Sequence, residues 1–141
     1  LPDYINTVIV SYYDLSVGTN NEYPIIKLGD STTDGYVTGA YNFSHGYFGD
    51  SAQDINNYTT KNGFYLPIWN GNSEDFFGIA TCTRVNQSNY WVFQQFLRTD
   101  NSPSNFITTI GHVNIGGTLD RVKVECSAGT FDSGYANIQY W

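Results

Sequence analysis

The chain has 141 residues with no Met and a formal charge of −7; 13% are charged, against about 25% in average usage, and 17% are aromatic. That length holds one core and one domain over 1–141. The acidity argues against nucleic acid, which needs a basic footprint on its phosphates, and against an anionic membrane surface.

Strong helix formers are scarce and β-branched and aromatic residues plentiful, so the expected fold class is all-β. In chain order, period-two alternation first marks Ile5 to Tyr13, with Val8, Val10 and Tyr12 on one face and Thr7, Ile9 and Ser11 on the other. Tyr23 to Leu28 is the second expected strand, closed by Gly29-Asp30, and Gly35 to Phe43 the third. From His45 to Asn62, Gly, Asp, Asn, Ser and Thr with scattered aromatics read as long loops. Phe64 to Trp69 follows as a short strand, and Asp75 to Val85 with Tyr90 to Leu97 as a hairpin across Asn86–Asn89. Thr99 to Asn105, with Pro103, reads as a turn. Phe106 to Val113, Leu119 to Cys126 and Thr130 to Tyr140 complete the series. Short strands with no helix between them imply two packed antiparallel sheets, a β-sandwich of jelly-roll-like type.

No apolar run is long enough to span a bilayer as a helix, and no basic segment with an apolar core opens the chain, so membrane insertion is not expected. The start at Leu1-Pro2-Asp3 reads as that of a processed product or a piece of a longer chain. Cys82 and Cys126 lack metal-ligand spacing; a disulfide between them and two free thiols are both open.

Nucleophile-elbow, zinc-helix and phosphate-loop motifs are lacking, and no acid pair stands out, so no catalytic residues, cofactor or metal are expected. Asp30 and Asp34 around Ser31-Thr32-Thr33 could hold calcium, but turns in which each Asp bonds its own backbone are the commoner outcome. Sequons at Asn42, Asn57 and Asn86 are as many as chance produces in so Asn-, Ser- and Thr-rich a chain. The aromatics exceed what the core easily fills. His45, Tyr47, Tyr58, Tyr65 and Trp69, in or beside the loop-rich middle, are the candidate ligand-binding residues, rings stacking on sugars while Asn, Asp and Gln bond hydroxyls. Trp141 continues the outward register of Tyr135, Asn137 and Gln139 and is the candidate subunit contact.

Gly117-Thr118-Leu119-Asp120-Arg121-Val122-Lys123-Val124, followed by Gly129-Thr130-Phe131-Asp132-Ser133-Gly134 and Tyr135 to Tyr140, resembles the ending of the tail fibre or tail appendage proteins of tailed bacteriophages. Val8 to Leu15 resembles that family's first strand, and Leu28-Gly29-Asp30-Ser31 through Gly35-Tyr36 its early turn; residues 42 to 75 have no counterpart. Cys126 and Trp141 depart from the pattern, which has a small polar and an acidic residue there. The resemblance implies a homotrimeric fibre-tip domain on the virion tail, acting extracellularly and binding a host cell-surface glycan or protein. The alternatives are a purely structural virion domain, a secreted lectin or carbohydrate-binding module, and a polysaccharide depolymerase.

Overall fold

The computed structural model describes residues 5–18, 22, 24–30, 35–37, 39–48, 52–65, 75–86, 88–99 and 106–141, with backbone alone over 41–48 and 52–61. All regular structure among them is strand, as the scarcity of helix formers requires.

The strands are β1 (Thr7–Val17), β2 (Pro24–Asp30), β3 (Gly35–Tyr36), β4 (Ala40–Phe48), β5 (Ala52–Lys61), β6 (Phe64–Tyr65), β7 (Phe76–Arg84), β8 (Tyr90–Thr99), β9 (Phe106–Asn114), β10 (Arg121–Cys126) and β11 (Phe131–Tyr140). All pair antiparallel, in a seven-stranded sheet ordered β11-β1-β7-β8-β9-β4-β5 and a four-stranded sheet in which β2 pairs with β10, β3 and β6.

Between the sheets lies one hydrophobic core. Val8, Val10 and Tyr12 of β1, Phe76 and Ala80 of β7, and Trp91, Phe93 and Leu97 of β8 all point inward. Ile26, Leu28 and Phe64 join this core, with Val122 and Val124 of β10 packed against it. Phe64 stacks on Phe93 with ring centroids 4.3 Å apart, joining the two sheets by a ring on each. The result is the expected all-β, antiparallel sandwich.

Two expectations are corrected. The stretch 45–62 is not long loop: β4 and β5 form a paired hairpin over most of it. The expected strand from Gly35 to Phe43 is two strands, β3 in the small sheet and β4 in the large one, so the chain changes sheets between Tyr36 and Ala40. The expected turn at 99–105 lies mostly outside the described residues.

The Phe131-Asp132-Ser133-Gly134 stretch belongs to strand β11, where a bulge locks it to β1. Asp14 has φ 56° and the β1–β11 register shifts between Tyr13 and Ser16. Opposite it, Gly134 has φ 75°, and a Cβ there would overlap the Asp14 carbonyl. Only glycine fits both constraints. The Ser133 hydroxyl donates to the Asp14 carbonyl at 3.0 Å, and the Ser16 hydroxyl donates to Asp132.

Candidate functional site

The inward residues of the large sheet leave its alternate residues on the opposite face, and pairing aligns them in rows across the strands. One row begins with Tyr135 stacked on Tyr13 at 5.3 Å, and Tyr13 meets Phe77 edge-on at 5.5 Å. It continues through Arg98, which pairs with Phe77 on one side and Phe106 on the other, to Tyr47 opposite Phe106. The next row runs Asn137, Ser11, Ile79, Phe96, Thr108 and His45. Phe96 also stacks with Phe106, centroids 6.0 Å apart. In a third row Ile9, Thr81, Gln94 and Ile110 lead to the Phe43 position.

Rings and aliphatic side chains on this face stand in the open: Tyr135 is 62% exposed, Tyr13 and Ile110 are each 55% and Phe96 is 48%. Along the paired outward register of β1, β7, β8, β9 and β11 Arg98 is the one formally charged side chain, while Asp14 and Asp132 stand at the bulge end of β1 and β11, half-buried and exposed respectively. The small sheet contrasts with it. There Lys27 and Lys123 both pair with Glu125, Arg121 pairs with Asp120 at 2.6 Å, and Lys123 lies 5.7 Å over the Tyr36 ring. Hydrogen bonds from Lys123 and Lys27 hold the Glu125 carboxyl below its ordinary range.

The candidate ligand residues are not brought to one place. His45 and Tyr47 stand two residues apart on β4 at outward register positions, opposite Thr108 and Phe106. Tyr58 pairs with Asn42, which itself faces Gly111, a row of the other parity, so Tyr58 belongs to the opposite face. Tyr65 is in the small sheet on β6, paired with Ile25 and half-buried. Trp69 lies outside the described residues. Trp141 is 58% exposed and fixed by its backbone, its carbonyl accepting from Asn6 and Thr7 and its N–H donating to the Thr7 carbonyl. Sequence reasoning missed Phe96, Phe106, Ile79 and Ile110. The available signal was that β8 and β9 carry apolar residues at both parities, which a strand with one wet face does not need.

Cys82 and Cys126 are free thiols on strands of different sheets, which closes the disulfide alternative. Burial pushes the Cys82 thiol up to about 12. Burial, with the Glu22, Asp132 and Glu125 charges adding, pushes Cys126 up to about 11. Both are poor nucleophiles at neutral pH. Among the described residues no group of three His, Cys, Asp or Glu side chains could hold a metal ion. Asp30 is buried at the end of β2, and Asp34 lies outside the described residues. No helix among the described residues is long and apolar enough to cross a membrane. The candidate site is the outward face of the large sheet, where exposed rings stand among Asn, Gln, Ser and Thr positions.

No family model matches the chain, and no curated protein or solved structure matches it either.

Proposed function

We propose that this chain is a receptor-binding domain of a phage tail fibre tip, assembled as a homotrimer, that attaches the virion to a glycan on the bacterial surface. The observation that carries this reading is how the fibre-like stretches are distributed over the fold. Those stretches fall on β1, β11, β10 and the β2–β3 turn. Within each sheet they are neighbours, since β11 pairs with β1 in the large sheet, and β10 with β2 and β2 with β3 in the small one. Residues 42–75, which resemble nothing in that family, supply most of β4 and all of β5 at the far edge of the large sheet, and the two-residue β6 beside β2. A family-like framework in both sheets with an unmatched hairpin at the far edge of the large one is the arrangement expected of a domain that keeps its assembly and varies its target.

Within that hairpin His45 and Tyr47 hold outward register positions, and Asn57 is opposite Phe43 on the same face. An aromatic ring beside amide and imidazole groups can stack on a sugar and bond its hydroxyls. Tyr58, on the other face, is assigned no contact with the same ligand. The purely structural reading draws its support from the breadth of the uncharged sheet face, which suits contacts between subunits.

The two readings separate in one binding assay. The purified domain is expected to adsorb to host cells, and the His45→Ala/Tyr47→Ala double variant to adsorb at least about tenfold more weakly, roughly 1.4 kcal/mol, with an unchanged melting curve. No adsorption by the wild-type domain leaves the structural reading in possession.

A further inference from the structure

We infer that the outer face of the seven-stranded sheet, over β11, β1, β7, β8 and β9, is the contact surface for other copies of this chain. The inference names the surface behind the homotrimer of the proposed function and rests on that reading for its choice of partner.

Size is the first argument. Five strands about 4.8 Å apart and about nine residues long cover roughly 700 Å² in projection, near the ~800 Å² that one partner contributes to a standard interface. Roughly half of the outward positions on this face are apolar, and exposed rings gathered in that number on it mark an interaction surface.

Composition is the second. Interface cores are depleted in Asp, Glu and Lys and enriched in aromatics and Arg. This face has Tyr13, Tyr135, Phe96 and Phe106 exposed in the open, with Arg98 the one formal charge among its paired outward positions and Asp14 and Asp132 confined to the bulge end. The small sheet shows that the same chain also builds an ordinary solvated face, with Lys27, Lys123 and Glu125 in ion pairs.

Charge decides the occupant. Two copies of a −7 chain repel one another unless they meet where the acids are not. Carboxylates on these five strands stand only at the bulge end, Asp14 of β1 and Asp132 of β11, and the paired outward positions beyond it carry none. A basic partner would find counter-charges only at Asp14 and Asp132, at one end of this face, whereas the exposed Ile79, Phe96 and Ile110 at its centre suit a protein contact. Another copy of the same face brings a matching apolar centre. The β4–β5 edge, with His45 and Tyr47, stays available to the host.

The test is mass in solution. Wild-type protein at about 10 μM is expected to scatter light as a multimer of the chain. Phe96→Glu/Ile110→Glu, which sets like charges against each other across the contact, is expected to weaken self-association by roughly 100-fold or more while circular dichroism and cooperative melting stay as in wild type. Lys123→Glu, on the other sheet, is expected to leave the mass unchanged. A monomeric wild type, a double variant that keeps its full mass, or dissociation by Lys123→Glu instead would each overturn the inference. A wild type that stays monomeric and binds neutral phosphatidylcholine vesicles through these rings would overturn it in favour of a lipid surface. If the double variant does not fold, hydroxyl-radical labelling of wild type replaces it. Tyr13, Tyr135, Phe96 and Phe106 should be protected at high concentration and labelled on dilution, and labelling that ignores concentration contradicts the contact. Host adsorption is scored separately, so a monomer that still adsorbs removes only this interface, and a multimer that does not adsorb removes only the receptor reading.

Discussion

Gly134 shows how one residue can hold two strands in register. Its φ of 75° and the carbonyl of Asp14 against its Cα leave no room for a side chain. Gly134→Ala is expected to cost about 3 kcal/mol or more, read as a lower urea midpoint at unchanged slope. An effect within about 0.5 kcal/mol, the usual range for a surface substitution, would mean the bulge relaxes freely. Glu125 gives a prediction of the opposite size. Its folded pKa is depressed by Lys123 and Lys27, so its contribution is complete above the ordinary carboxylate range and is lost as pH falls through the lower folded value. Glu125→Gln should therefore cost less than about 1 kcal/mol near neutral pH, because the pair is solvent-screened. The gap from wild type should narrow as pH falls below the ordinary carboxylate range. A gap that widens in acid would contradict the ion pairs.

Elements divide into those whose sequence announces them and those whose sequence hides them. At the joint between the sheets, Phe64 lies on Phe93 with both rings buried, and Phe64→Ala is expected to cost about 3–5 kcal/mol in the same unfolding assay. β1, β7, β8, β9 and β10 were legible because each alternates an apolar inward face with turn residues at its ends. β4 and β5 were not. Asn42, Ser44 and Gly46 occupy the register positions that continue the inner rows of Gly111, Thr109 and Ile107, so the apolar signal on the inner parity is missing. The buried neighbours there are themselves partly polar, since the Gln95 side-chain amide donates to the Thr109 hydroxyl at 3.1 Å. As an edge strand β5 has little need of apolar residues, and its Asn and Asp therefore read as loop. The ligand candidates inherited that error. Tyr58 was grouped with His45 and Tyr47 by closeness in sequence, whereas strand parity separates them.

At the scale of the whole molecule the chain is two unlike faces around one core. The small sheet wears its charges in ion pairs, and the large sheet wears rings, aliphatic and neutral polar groups, with Arg98 the one charge at the paired outward positions of β1, β7, β8, β9 and β11 and Asp14 and Asp132 at their bulge end. The excess of aromatics over what a core this size holds was visible from composition. Its destination was not, because only the register of neighbouring strands gathers Tyr135, Tyr13, Phe77, Phe106 and Phe96 on one face. We propose that attachment runs through a protein surface, with no chemistry performed on the target. Its most direct measurement is competition: host cells are saturated with the purified domain and then challenged with the virion that carries it. Virion adsorption should fall in step with domain occupancy, and undiminished adsorption to fully occupied cells would contradict the claim.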